Sequence, residues 1–171
     1  MKQEDFYSLS FNSNNVELFV EVIGDYDDKK LKTGEYNPNP LKVKKSQGRK
    51  AYDIVRLQDV FNFLVSPSLI YALESNSLTG WKTFSIESDI ELDGYKGFQC
   101  TGTCGSPIRP EQSGFVIGYE FDIKTWDGCD FFIPESTMKI ICTKKAKDII
   151  EKYKIKNIKL ENLKTLEWYS V

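Results

Sequence analysis

Alternating apolar and polar positions predict that most of this chain is β-structure. Phe115–Ile123 alternates without a break and is predicted as the most regular strand, with Glu120, Asp122 and Lys124 on its other face. Val16–Ile23 has the same period of two. Further strands are predicted over Asp5–Phe11, Tyr52–Leu57, Phe84–Leu92 and Tyr95–Thr101, with a tight turn at Asp93-Gly94 before the last of them.

Residues 64–83 and 141–160 share a pattern at an offset of 77 residues. Ser66 and Thr143 are both good helix N-caps, and each is followed by an amphipathic i, i+3, i+4 stripe. Gly80 and Asn157, which suit a left-handed exit, fall at the same offset. Each copy therefore predicts a strand, a capped helix of about three turns and a second strand. Either an internal duplication or two unrelated strand–helix–strand units would give this pattern.

Strands outnumber helices in this interpretation, and the helices occur singly between strands. The predicted fold class is α+β, a mixed or antiparallel sheet with about two helices packed on one face. The 171 residues suit a single domain spanning 1–171, in which residues 1–50 give the fewest signals. Residues 24–50 contain three glycines and two Asn-Pro steps, and are predicted to be a long polar connection.

Charge is unevenly distributed, although the net charge is only −2. Residues 29–50 carry eight basic side chains and one acid, whereas residues 84–135 carry ten acids. If the acidic segment forms one face, it will attract cationic partners. Ordinary solvated faces would give the same distribution.

The chain contains no histidine. Its absence removes the commonest general base and the usual nitrogen ligand of zinc. The sequence begins without a signal-peptide pattern and contains no long apolar run, so we expect a cytoplasmic protein with reduced cysteines and no membrane association. We expect no cofactor.

Cys100 and Cys104 form a Cys-x-x-x-Cys-Gly sequence. A zinc knuckle requires a second pair, and Cys129 and Cys142 are widely separated. The alternative is a glycine-rich loop that ends a strand, with Gly102 and Gly105 at positive φ.

Two further patterns suggest nucleic-acid chemistry. Glu120-x-Asp122-x-Lys124 superficially resembles the metal-binding strand of some nucleases, but it is also what the solvent face of an amphipathic strand looks like. The lysines of residues 144–159 could contact phosphates or form a solvated helix face, and nucleic-acid binding is the less favoured interpretation.

The turn from Trp126 to Phe132 is the best candidate for a partner-binding site. Large rings beside carboxylates suit protein recognition. The candidate contacts are Asp122, Trp126, Asp127, Asp130 and Phe131. In the alternative, the rings fold back onto the core and the aspartates set the turn geometry.

An ordered set of weak motifs resembles bacterial immunity proteins of polymorphic toxin systems, of the kind classed as immunity families 11 and 43. The set comprises Leu64-Val65-Ser66, Leu78-Thr79-Gly80-Trp81, the segment 95–105 with its Gly-x-Cys-Gly end, Trp126-Asp127-Gly128, Asp130-Phe131-Phe132 and Cys142-Thr143. The resemblance implies a cytoplasmic, non-enzymatic α+β protein that binds a cognate toxin and occludes its active site. The alternatives are a metal-dependent nuclease and a structural module without a toxin partner.

Overall fold

The computed structural model describes residues 2–110 and 113–170 and confirms the α+β class. Three α-helices and sixteen strands occur among these residues. The strands are β1 Phe6–Phe11, β2 Phe19–Val22, β3 Leu41–Gln47, β4 Ile54–Leu57, β5 Phe63–Val65, β6 Trp81–Phe84, β7 Ile86–Ser88, β8 Lys96–Cys100, β9 Gly102–Cys104, β10 Pro107–Ile108, β11 Gly114–Ile117, β12 Glu120–Phe121, β13 Phe131–Pro134, β14 Ile140–Thr143, β15 Ile158–Asn162 and β16 Glu167–Ser170. The helices are α1 Asp28–Thr33, α2 Pro67–Ser75 and α3 Lys144–Lys152, with 3₁₀ turns at Gln3–Asp5 and Ile123–Thr125.

The strands form two main sheets where the sequence predicted one. The larger sheet has seven strands in the order β6-β8-β5-β4-β2-β3-β7, and the smaller has five in the order β15-β1-β14-β13-β9. Two-stranded sheets, β10-β12 and β11-β16, lie beside them. Both main sheets mix parallel and antiparallel pairs.

The two main sheets share one pattern, which extends the repeat found in the sequence. In the larger sheet β4 pairs with β5 through Ile54 and Val65. In the smaller sheet β13 pairs with β14 through Phe131 and Cys142, each 77 residues later. The bounds of α2 and α3 differ by the same offset. This agreement relates β4-β5-α2-β6 to β13-β14-α3-β15 residue by residue. The strands β1-β2 and β8-β9 take equivalent places in the pairing and complete two structural halves, β1-β2-β4-β5-α2-β6 and β8-β9-β13-β14-α3-β15.

Each half gives its first strand to the sheet of the other. β8 lies between β5 and β6 of the first half, and β1 lies between β14 and β15 of the second. The exchanged strands keep equivalent registers. Cys100 of β8 pairs with Trp81, and Phe11 of β1 pairs with Ile158, the residue 77 positions after Trp81. Neither sheet is therefore complete without a strand from the other half.

Helices α2 and α3 begin and end in the same way. Ser66 and Thr143 are the N-caps, and their hydroxyls accept hydrogen bonds from the backbone N–H of Leu69 and Ala146, both at 3.2 Å. After the helices, Ser77 and Lys154 take left-handed φ angles of 50° and 54°, followed by Gly80 and Asn157 at 81° and 70°. These capping residues confirm the strand–helix–strand prediction for both copies.

Two aspartates at the repeat offset tie each helix start to the other helix end. Asp130 Oδ1 accepts from the Thr143 hydroxyl at 2.9 Å, and its Oδ2 accepts from the backbone N–H of Thr79 at 3.0 Å. Asp53 Oδ1 accepts from the Ser66 hydroxyl at 2.6 Å, and its Oδ2 accepts from the backbone N–H of Lys156 at 2.7 Å. We call this pair the crossed carboxylates. They join the two halves by linking the hydroxyl that caps one helix to a backbone N–H in the loop that follows the other helix.

Three apolar clusters make up the core. The central cluster takes residues from both halves, including Phe63, Leu73, Phe131 and Ile150, and fills the space between the sheets and α2 and α3. A second cluster lies on the other face of the larger sheet, where α1 contributes Leu31. The third lies on the far side of the smaller sheet and contains Phe6, Phe121, Phe132 and Leu163.

Four predictions about local structure are wrong. Residues 24–50 hold α1 and β3 rather than a polar connection, and the predicted strand Phe84–Leu92 ends at Ser88. The predicted strand Phe115–Ile123 is broken at Gly118, where φ is +90°. Gly102 lacks a positive φ, as does Gly105. Glycine is needed at position 102 because a Cβ there would lie 2.2 Å from the Phe131 carbonyl oxygen.

We expect loss of either crossed carboxylate to destabilise the fold. Asp130 accepts four hydrogen bonds and is buried, so Asp130→Ala should lower the free energy of unfolding by about 3 kcal/mol, and Asp53→Ala by about 2 kcal/mol. Urea denaturation measures both. Asp25→Ala is the matched control, since Asp25 is exposed, and should change stability by less than about 0.5 kcal/mol. Equal stability of the Asp130→Ala and Asp25→Ala variants would contradict the assigned role.

Candidate functional site

The aromatic residues of the predicted partner-binding turn pack inward. Phe131 is 1% exposed, and its ring contacts Phe98 edge to face at 5.9 Å between centroids. Trp126 is half-buried against Phe6, at 5.1 Å between ring centroids, and its indole N–H donates to the Cys129 carbonyl at 3.0 Å. Trp126 therefore packs against the third cluster, and Phe131 belongs to the central cluster. This agrees with the alternative interpretation, in which the rings fold back onto the core.

The three aspartates of the turn differ in exposure. Asp130 is buried as one of the crossed carboxylates and also lies 3.4 Å from the Lys145 ammonium. Asp127 is exposed and accepts from the backbone N–H groups of Thr103 and Cys129 at 2.7 and 2.9 Å. Asp122 is exposed and accepts from the backbone N–H of Lys124 at 3.0 Å. Of the five candidate contacts, only Asp122 and Asp127 present charge at the surface.

The basic and acidic segments of the sequence partly neutralise each other in the fold. Lys42 in β3 lies 3.8 Å from Glu87 in the neighbouring β7, and the backbone N–H of Lys45 donates to Asp89 at 3.1 Å. The acids of residues 84–135 therefore do not form one face. Four exposed acids remain around the end of β9, and among residues 2–110 and 113–170 none has a lysine or arginine nitrogen within 4 Å. We call Glu120, Asp122, Asp127 and Glu135 the acidic group.

The candidate nuclease residues do not lie on one strand. Glu120 belongs to β12, Asp122 caps the 3₁₀ turn that follows, and Lys124 lies inside that turn. The Asp122 carboxylate is already used to cap that turn. The spacing of a metal-binding strand is therefore present in the sequence without its geometry.

The cysteines at positions 100, 104 and 142 are buried and unpaired. Burial raises the pKa of Cys100 and of Cys104 to about 12, and raises that of Cys142 as well. These thiols are protonated at neutral pH, which makes them small apolar side chains rather than thiolate ligands. Within the described residues, no group of three His, Cys, Asp or Glu side chains is arranged to hold a metal ion.

A two-stranded ribbon, β11 paired with β16, exposes an apolar face that the sequence did not predict. Phe115, Ile117 and Tyr169 are 87%, 74% and 58% exposed. Phe115 lies opposite Tyr169 in the register, and their rings meet edge to face at 5.3 Å. The alternation at Phe115 and Ile117 predicted a buried face, but these two side chains face away from the core.

A groove with a volume of about 440 Å³ lies behind the ribbon, between two hairpin turns. Val60 and Phe61 come from the β4–β5 turn, and Thr137, Met138 and Lys139 come from the β13–β14 turn at the repeat offset. Tyr119 and Trp168 line the groove as well, and their rings are in contact at 5.2 Å. The repeat in the sequence could have indicated that these turns correspond, but not that a groove separates them.

Lys32 is a buried basic side chain next to the β4–β5 turn. It is 2% exposed, its ammonium donates to the Phe61 carbonyl, and it lies 4.5 Å from the centre of the Phe63 ring. Desolvation lowers the pKa of Lys32 to about 8, although electrostatic interactions with nearby groups act to raise it. This burial was not predicted, because residues 24–50 were predicted to be a polar connection rather than to contain a helix.

We expect Lys32→Met to stabilise the protein at pH 7. A fall in pKa from 10.5 to about 8 corresponds to about 3 kcal/mol, from which the lost hydrogen bond removes about 1 kcal/mol. The unfolded lysine binds a proton between pH 8 and 10.5 that the folded lysine releases, so the wild-type protein gains stability as the pH rises through this window. The advantage of Lys32→Met should therefore be full at pH 7 and much smaller at pH 10.

Urea denaturation of both proteins at pH 7 and pH 10 measures this difference. Lys29→Met is the matched control, because Lys29 belongs to the same helix and is exposed. It should give no pH-dependent difference from wild type. A constant difference between Lys32→Met and wild type across the two pH values would show that Lys32 is not desolvated.

Comparison with known proteins finds no matching family model and no similar curated protein. The resemblance to immunity proteins therefore rests on the motifs quoted above and stays a prediction. No helix among the described residues has both the length and the apolar character needed to span a membrane.

Proposed function

We propose that this protein is an immunity protein that binds a cognate toxin domain and occludes its active site. The observation that carries the proposal is the apolar outer face of the ribbon formed by β11 and β16. Apolar patches of this kind on a protein surface mark interaction sites. Phe115 and Tyr169 are large aromatic side chains of the type that dominates binding energy at interfaces.

The ribbon also offers backbone groups to a partner. It contains only two strands, so the hydrogen-bonding groups on its outer edges have no strand neighbour among the described residues. An extended segment of a toxin can add to such an edge and place alternate side chains on the apolar face. Backbone pairing would supply affinity, and the pockets around the rings would supply specificity.

The acidic group indicates the charge of the proposed partner. Glu120 follows Ile117 by three residues, so the acidic group begins where the apolar ribbon ends. Unpaired carboxylates beside an apolar patch suit a partner with apolar contacts and a basic rim. A toxin that attacks nucleic acid tends to have a basic cleft, which the acidic group would face.

Removing the two exposed side chains of β11 tests the ribbon. We expect Phe115→Ser combined with Ile117→Ser to weaken binding of the cognate toxin domain about 100-fold, because each is a candidate anchor worth about 1–2 kcal/mol. The toxin domain to test is the C-terminal domain of any large secreted protein that sequencing finds encoded beside this gene. Isothermal titration measures affinity, and growth on co-expression measures protection.

Ile23→Ser is the matched control, since Ile23 is an exposed aliphatic side chain outside the ribbon. It should keep both affinity and protection. Full protection by the double variant, with its toxin affinity unchanged, would exclude the ribbon as the contact surface. Failure of the wild-type protein to bind or protect against any neighbouring toxin domain would exclude the immunity function itself.

Charge reversal tests the acidic group separately. Glu120→Lys should slow association with the toxin at low salt about tenfold and leave dissociation nearly unchanged, because exposed rim charges act on encounter. Stopped-flow fluorescence at two salt concentrations measures the effect. Glu74→Lys is the control, since Glu74 is an exposed acid on α2, outside the acidic group. Equal association rates for the two variants would remove the electrostatic part of the proposal.

A further inference from the structure

The groove behind the ribbon is lined by a buried hydroxyl that makes no hydrogen bond within the described residues. Tyr119 is 2% exposed, and its hydroxyl has no hydrogen-bond partner among the described residues. Thr137 lies beside this hydroxyl, but the Thr137 hydroxyl donates to the Pro134 carbonyl at 2.8 Å. A buried hydroxyl without a partner costs free energy, so its position in the groove wall favours a ligand that accepts its hydrogen bond.

Lys139 adds a positive charge beside this hydroxyl. Its ammonium lies 5.8 Å from the centre of the Tyr119 ring and has no carboxylate within 4 Å in residues 2–110 and 113–170. Lys139 is half-buried, and this burial lowers the pKa of its ammonium. Arg109 also lines the groove.

The internal repeat shows what is missing around Lys139. Position 139 corresponds to Asn62 of the first hairpin turn, where the Asp59 carboxylate accepts from the backbone N–H of Asn62 at 2.6 Å. The position corresponding to Asp59 is Ser136. The second turn therefore has a lysine in place of the neutral amide and a serine in place of the aspartate.

The remaining walls of the groove are apolar. Val60, Pro107, Met138 and Trp168 line it. A second cavity of about 200 Å³ shares Val60, Met138 and Lys139 with the groove, and the buried Lys32 lies on its wall. A ligand that fits this combination has an apolar body and one negatively charged group that accepts hydrogen bonds.

We propose that the groove between the two hairpin turns binds a small organic carboxylate with an apolar body. The carboxylate accepts hydrogen bonds from the Lys139 ammonium and the Tyr119 hydroxyl, and the apolar body packs on Val60, Met138 and Trp168. A carboxylate fits better than a neutral carbonyl because it compensates the lysine charge. This site is independent of the ribbon's outer face, so it stands whether or not a toxin binds there.

The test uses three probes with one apolar body. They are 4-phenylbutyrate, 4-phenyl-1-butanol and 4-phenylbutylamine, titrated into the full-length protein and followed by NMR shifts of the Trp168 indole N–H. We expect 4-phenylbutyrate to bind about tenfold more tightly than the alcohol and the amine to bind most weakly. A tetrapeptide ending in phenylalanine, with a free or an amidated terminus, shows whether a chain terminus supplies the carboxylate better than the free acid does.

Two conservative variants locate the site. Lys139→Met and Tyr119→Phe each keep the apolar volume, and each should reduce the affinity for 4-phenylbutyrate without changing that for the alcohol. Lys29→Met is the control and should change neither. The proposal is wrong if the three probes bind equally, if Lys139→Met leaves the preference for the carboxylate unchanged, or if the shifts map outside the groove. Amide spectra of each variant confirm that it is folded.

Discussion

The crossed carboxylates are the constraint on which the arrangement of the two halves depends. Each anchors the hydroxyl that caps its own helix and the backbone N–H that follows the other helix. Because the two oxygens of a carboxylate each accept charge-assisted hydrogen bonds, one side chain placed between the start of one helix and the loop after the other satisfies a donor on both sides. Neither half can shift relative to the other without breaking such a contact. The buried central cluster, which takes residues from both halves, is held in register by these two side chains.

Strand exchange strengthens the same coupling. β1 and β8 each complete the sheet of the opposite half, so separating the halves would expose sheet edges as well as the central cluster. The architecture is that of a domain-swapped pair contained in one chain. The elements outside the repeat surround this frame. The ribbon comes from β11 and β16, while β10, β12 and β16 contribute Pro107 and Trp168 to the groove wall and Glu120 to the acidic group, and none of these strands has a counterpart in the first half. The proposed binding surfaces thus combine these added strands with turns that belong to the repeat.

The sequence predicted those features that are local. N-caps, helix stripes and left-handed exits depend on neighbouring residues, and Ser66, Thr143, Gly80 and Asn157 carry them in both copies. Asp53 and Asp130 also fall at the repeat offset, but they precede the aligned windows, and their contacts join residues far apart in the chain. Asp130 was therefore assigned to partner binding. For α1 a signal was present, since Asp27 caps its start and Gly34 follows its end at a φ of 80°, but the surrounding polar residues masked it.

The position of the candidate site depends on which face of each strand is buried, and the periodicity of the sequence does not determine this. Alternation at residues 115–123 predicts two faces but does not show which of them is buried. The apolar side chains change from exposed to buried at Gly118, within this one segment. Before it, Phe115 and Ile117 face solvent, whereas Tyr119 and Phe121 after it are each 2% exposed. The left-handed backbone at Gly118 turns the chain so that the same pattern serves the outer ribbon first and the core next. Tyr119 is the first buried residue after this turn, which places its phenol at the groove, where its hydroxyl makes no hydrogen bond to the residues that the structure describes. A single glycine thus separates the surface proposed to bind a toxin from the groove proposed to bind a carboxylate.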